Sequence, residues 1–160
     1  MSALRISVEP HAPDGLRAHV REHLNTFNTA VTGFSEYHSV TILLRDERDE
    51  VLGGLLGAIW GGWLSISILW VTAPLRGRGH GRQLLEAAEQ YALERGCTHA
   101  WLTTFSFQAP EFYPRFGYES FAVLDDHPLG HRHHFFRKRL VAAQAPDPGG
   151  GARERGPRPA

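Results

Sequence analysis

The hydrophobic positions change period several times along the chain, and each change marks an element. Leu4, Ile6 and Val8 alternate with Arg5 and Ser7, the pattern of a half-buried strand. Pro10 and Pro13 end it. Leu16, Val20, Leu24 and Phe27 then recur at helical spacing, with Asp14 placed as N-cap and Gly33 closing this helix or a short successor. Tyr37 to Leu44 reads as a strand and the charged run Arg45 to Glu50 as a solvated turn. Val51 to Trp60 and Trp63 to Val71 form a hairpin about Gly61-Gly62. Strict alternation on its second arm sets Leu64, Ile66, Ile68 and Trp70 on one face, and Trp63, Ser65, Ser67 and Leu69 on the other. From about Gly79 to Arg95 the period is helical again, with Leu84, Leu85, Ala88, Tyr91 and Ala92 in one stripe and Gly96 beyond its end. Thr98 to Phe105 is a strand, Pro110 to Phe116 a short helix ended by Gly117, and Tyr118 to Leu124 and His131 to Val141 the last two strands.

The order β, α, β, β, β, α, β, α, β, β predicts a mixed α/β (α+β) domain with a central sheet flanked by helices. The strand, helix, strand unit around the second long helix implies a right-handed crossover between parallel strands. A single domain is expected over residues 1–144. The Pro, Gly and Arg-rich stretch 145–160 reads as a disordered tail.

Composition narrows the class. The apolar fraction of 42% suffices for a core, and 17 basic residues balance 17 acidic ones, so neither a nucleic-acid nor a membrane surface is indicated. Cys97 is alone, which excludes an internal disulfide and suits a reducing compartment. The start has no apolar signal core, and the apolar run Val51 to Val71 is broken by glycines. A cytoplasmic location is therefore expected.

The chemistry concentrates in Arg76-Gly77-Arg78-Gly79-His80-Gly81, between an apolar strand and an amphipathic helix. Glycines there bring backbone N–H groups close to a ligand, and the helix N-terminus and arginines add positive charge, which is what a phosphate needs. No Gly-Lys-Ser/Thr closes the loop as in a Walker motif, and the glycine spacing is not that of a dinucleotide fingerprint. Read alone, a glycine-rich connection with solvated arginines is the alternative. Trp60 and Trp63 fit either a substrate mouth or cross-strand packing, and Asn25, Asn28 and Thr29 either helix-end capping or a substrate contact.

Two motifs in order carry a resemblance. Arg76-x-x-Gly79-x-Gly81 matches the Gln/Arg-x-x-Gly-x-Gly/Ala pattern of the GNAT superfamily of N-acetyltransferases, and Phe112-Tyr113 followed by Phe116-Gly117-Tyr118 is similar to that superfamily's downstream aromatic segment. The resemblance covers roughly residues 4 to 140. It implies a GNAT-like central sheet whose fourth and fifth strands splay apart, with a bulge near the end of the fourth, to admit acetyl-CoA. It implies further that Gly77, Gly79 and Gly81 hold the cofactor pyrophosphate through main-chain N–H groups, framed by Arg76, Arg78 and His80. Leu69 and Val71 would offer backbone groups to the pantetheine arm. Ser106 stands where many relatives have Asn and could still bond the arm. Tyr113 matches the superfamily's tyrosine that protonates the departing thiolate; a phenol is protonated at neutral pH and can donate. Aromatic packing is the alternative for Tyr113.

The general base is open among Glu36, His38, Glu111 and a water relay, because the strand Trp63 to Val71 carries no carboxylate. His127, His131, His133 and His134 raise a metal site, with His131 and His133 on one strand face, but no Cys or acidic residue completes a familiar spacing. No metal is expected. The function expected is transfer of an acetyl group from acetyl-CoA to a primary amine of a small molecule or an exposed amino group. The alternative is a non-enzymatic acyl-CoA-binding module. The acceptor is not legible, and the oligomeric state is open, a homodimer being compatible with the resemblance.

Overall fold

The computed structural model describes residues 4–140; the expected tail 145–160 lies outside the described residues. The elements are α1 (Asp14–Thr32), β1 (His38–Arg45), β2 (Val51–Trp60), β3 (Trp63–Val71), α2 (His80–Glu94), β4 (His99–Phe105), β5 (Glu119–Asp125) and β6 (Arg132–Arg139), with short 3-10 turns at Ala73–Leu75 and Tyr113–Phe116. The strands form one six-stranded mixed sheet in the order β1-β2-β3-β4-β6-β5. Only β3 and β4 are parallel, and α2 is the crossover between them.

The core lies between α2 and one face of the sheet. Leu84, Leu85, Ala88 and Ala92 of α2 meet Val40, Leu55, Leu64, Ile66, Ala100, Leu102 and Phe136 from the strands. Each of these side chains follows from the period of its own segment. Removing them from water is the main favourable term in folding.

Three expectations fail, each for a local reason. Leu4 to Val8 is not a strand: among the described residues the segment pairs with nothing, and all three apolar residues are almost fully exposed. Alternation supplies one face for a strand but no partner edge. Asp14 is the first residue of α1 and Pro13 the N-cap, because a proline with φ −55° and ψ 147° already turns the chain into the helix. Strict alternation also breaks in β3. Leu56 faces Ile68 while Gly57 faces Ile66, so Ser67 is an extra residue, a bulge. Beyond it Leu69 and Val71, not Ile68 and Trp70, turn to the core side. The Ser67 hydroxyl donates to the Leu56 carbonyl at 3.0 Å across the bulge. Gly57 sits opposite, where any Cβ would collide with the Ser65 carbonyl oxygen. Smaller shifts affect ends only: β6 begins at Arg132, so His131 lies outside it and shares no strand face with His133.

Candidate active site

The parallel ladder between β3 and β4 is short. Trp63 to Ile66 pair with His99 to Leu102, and pairing stops there. The bulge at Ser67 follows at once, so the second half of β3 and the end of β4 diverge as a fork. These are the fourth and fifth strands of the expected order, one lower in number because Leu4 to Val8 forms no strand.

The exit of β3 leads into the glycine loop. Gly77 and Gly79 have φ of 73° and 87°, and a Cβ at either would meet nothing within 4 Å. Backbone conformation alone therefore demands glycine at both. Gly81 differs: a Cβ there would press on the Phe112 ring at 3.3 Å, so it permits close packing between α2 and the aromatic segment. Gly79 is the N-cap of α2, no side chain caps the helix, and its first turn holds no acidic residue. The unpaired N–H groups of that turn and the positive end of the helix dipole thus lie beside Arg76 and Arg78. Arg76 braces the loop, its Nε donating to the Val71 carbonyl at 2.9 Å. His80 Nδ1 is 3.1 Å from Gln83 Oε1.

Tyr113 stands at the fork. Its ring lies 5.8 Å from that of Phe136, and Phe136 pairs with Leu102, the last residue of the β3–β4 ladder on β4. Phe112 and Tyr118 close the other sides at 5.2 and 6.0 Å. Tyr113 is 8% exposed, and burial pushes its phenol above the ordinary tyrosine range. It is therefore protonated at neutral pH. Behind it, Lys138 Nζ bonds Glu89 Oε2 at 2.6 Å, while Glu89 Oε1 and the Tyr118 hydroxyl are buried with no hydrogen bond of good geometry among the described residues. Burial first, then the Glu89 carboxylate, raise the Tyr118 pKa strongly.

Ser106 ends β4. Its Oγ accepts from the Arg132 N–H at 3.0 Å and its N–H donates to the Arg132 carbonyl at 2.8 Å. The Gln108 side-chain oxygen holds the same corner, accepting from Thr104 Oγ1 at 2.8 Å and the Phe105 N–H at 2.9 Å. Ser106 then lines a concavity of about 320 Å³ with Glu111, Pro114, Ser120, Arg132 and His134. Sequence reasoning named Glu111 without support and did not find Ser120 or Arg132. They come from β5 and β6, and only strand pairing brings them to Ser106.

The other base candidates part company with this site. His38 bonds Glu36 at 3.0 Å and lies level with Leu64, on the hydrogen-bonded side of the fork and two strands away. With Phe34, Trp60 and Arg95 these two line a separate concavity of about 470 Å³. Trp60 and Trp63 are paired across the hairpin, but Trp60 contacts Phe34 and Trp63 stacks on His99 at 4.5 Å. The histidines stack among phenylalanines, His133 on Phe105 at 4.3 Å and His131 against Phe107 at 4.8 Å. Burial, then His127 and His134, lower the His133 pKa.

Comparison with known proteins agrees with this geometry. The model of the acetyltransferase (GNAT) family matches residues 5–118. The chain is similar to blasticidin-S acetyltransferase of Streptomyces morookaense, 43% identical over 95 residues, 59% of this chain and 70% of that one. It is similar also to an acetyltransferase of Agrobacterium fabrum, 32% identical over 121 residues, 76% of this chain and 88% of the relative. A crystal structure of an acetyltransferase from Bacillus cereus superposes with a TM-score of 0.77 at 34% identity, covering 84% of this chain and 98% of that one.

Proposed function

The chain belongs to the GNAT acetyltransferase family, and on that premise we propose that it moves the acetyl group of acetyl-CoA to a primary amine of a small molecule, with Tyr113 as general acid. The observation that carries the reading is the coincidence at one fork: a parallel ladder that stops at Ile66 and Leu102, a bulge one residue later, and a buried, protonated Tyr113 beside it.

The pyrophosphate of the cosubstrate lies against Gly77, Gly79 and Gly81 and the first turn of α2, framed by Arg76, Arg78 and His80. The pantetheine arm runs along Leu69 and Val71 into the fork, with Ser106 on its far side. Backbone N–H groups freed at the bulge face the thioester carbonyl, where negative charge develops as the amine attacks. The tetrahedral adduct then collapses, the carbon–sulfur bond breaks, and Tyr113 gives its proton to the thiolate. The amine must lose a proton. Glu111, in the concavity beside Ser106, is the carboxylate best placed to take it, while Glu36 and His38 lie behind the closed part of the ladder. The blasticidin-S relative supports a small-molecule acceptor. A catalytic role, and not mere cofactor sensing, is what the fork and Tyr113 together favour.

The test is acetyl-CoA-dependent thiol release over an amine panel that begins with blasticidin S and streptothricin. Turnover with at least one amine is expected. In Tyr113→Phe the affinity for acetyl-CoA should hold while kcat falls on the order of 10²-fold. A Tyr113→Phe enzyme of near wild-type kcat, with chemistry limiting, would remove Tyr113 from the mechanism.

A further inference from the structure

Two apolar surfaces of this chain are made and left uncovered. The first is on α1. Leu16, Val20, Leu24, Phe27 and Val31 form one stripe, each between 55 and 69% exposed, and no residue of the helix is buried. The second is the sheet face opposite α2. The register places Leu43, Leu56, Ile68, Trp70 and Trp101 there, each between 39 and 51% exposed. Each surface offers on the order of 500 Å² of apolar area, at the upper end of what a monomer leaves open.

A third observation concerns the edge. Leu4, Ile6 and Val8 carry a strand pattern with no strand to join, and β1 is an edge strand whose outer side pairs with nothing among the described residues. The shapes agree. A helix of 19 residues spans about 28 Å, and six strands span about 24 Å.

The segment between α1 and β1 sets where α1 stands relative to its own sheet. Gly33 closes α1 in the left-handed conformation, its N–H on the Thr29 carbonyl at 2.9 Å. Thr32 Oγ1 donates to the Asn28 carbonyl at 2.7 Å and accepts from the Phe34 N–H at 3.2 Å. The Phe34 ring then seats edge-on against Trp60, with centroids 6.3 Å apart. The hydrogen bonds are internal to residues 28–34 and move with the helix; the Phe34–Trp60 contact ties the helix end to the hairpin, and in this arrangement the α1 stripe stands off its own sheet, free to meet the face of another molecule.

We propose that residues 4–32 are an arm exchanged between two copies of this chain. The α1 stripe of each copy lies across the open sheet face of the other, and its Leu4 to Val8 segment pairs along the other's β1 edge. Residues 9–13 supply up to about 17 Å of chain for that reach. The exchange is isologous, so both stripes and both faces are covered and nothing is left to propagate. The area removed from water totals on the order of 2000 Å², above the roughly 1600 Å² of a standard stable interface. Ile68 and Trp70 belong to the splayed half of β3, so the incoming helix walls one side of the fork.

Light scattering on the full chain should give twice the chain mass at micromolar concentration. Leu24→Glu with Phe27→Glu should give the single mass while keeping circular dichroism, because α1 adds nothing to the core of its own copy. A sample mixing isotope-labelled and unlabelled copies needs no substitution. In it, isotope-filtered contacts between the Leu24 methyls and the Trp70 or Trp101 indole should run between copies. A chain-mass monomer, a dimer that survives the double substitution, or contacts confined to one copy would each overturn the proposal. Folding failure of the variant leaves the mixed-label measurement to decide.

Discussion

The two long helices carry the same signal and meet different fates. Both are amphipathic. α2 buries Leu84, Leu85, Ala88 and Ala92 against three strands, whereas α1, longer and as regularly striped, buries nothing. Their N-termini differ as well. α1 opens with Pro13 and Asp14, an acid in the first turn that answers the helix dipole, while α2 opens on a left-handed Gly79 with no capping side chain and no acid. An apolar stripe therefore names a face to be covered without saying by what, and an unanswered N-terminus leaves a helix end open to an anion.

The largest effect should separate the stripes. Leu85 is 1% exposed in the core, and Leu85→Ala should cost about 2–5 kcal/mol in chemical denaturation. Leu24→Ala, measured where the chain is dilute enough to be a monomer, should change stability by less than about 0.5 kcal/mol. A large loss for Leu24→Ala under those conditions would show that α1 docks within its own copy.

The N-termini should separate next, through ligand binding. Gly79→Asp puts a carboxylate on a residue whose φ of 87° already resists a side chain, beside the N–H groups assigned to pyrophosphate. Calorimetry should show acetyl-CoA affinity lowered by about tenfold or more, equivalent to roughly 1.4 kcal/mol. Adding an acid at the start of α1, by Gly15→Asp, should leave that affinity alone. Equal effects from the two substitutions would detach the glycine loop from cofactor binding.

How far the sequence shows this follows from the same contrast. The hairpin, α2, β4 and the aromatic segment are legible because each buries its own periodic face in the core. Gly77 and Gly79 are legible because a positive φ leaves few other residues available. The Leu4 to Val8 strand misleads because alternation names a face and not an edge. The bulge at Ser67 is invisible to alternation, since one inserted residue reverses every later side chain; the family resemblance alone anticipates it. The concavity around Ser106 is illegible for another reason. Glu111, Ser120, Arg132 and His134 lie apart in the chain, and the pairing of β6 with both β4 and β5 assembles them.

The smallest effect concerns the aromatic box behind α2. Burial, and then the carboxylate of Glu89 on α2, raise the Tyr118 pKa, and burial raises that of Tyr113. The folded chain therefore keeps both phenols protonated at a pH where the unfolded chain, with ordinary values of about 10, begins to release them. Above that pH the unfolded state binds fewer protons than the folded one, so stability falls as pH rises. Each tyrosine contributes a slope of at most about 1.4 kcal/mol per pH unit. Below about pH 8 neither contributes appreciable slope. Tyr118→Phe should make the alkaline limb shallower by up to that amount. Denaturant titrations between roughly pH 8 and 11 measure both chains. An alkaline limb unchanged in Tyr118→Phe would mean that the ring leaves its box before it ionises. The contact of Tyr118 with Tyr113 would then be too loose to hold the Tyr113 ring at the fork.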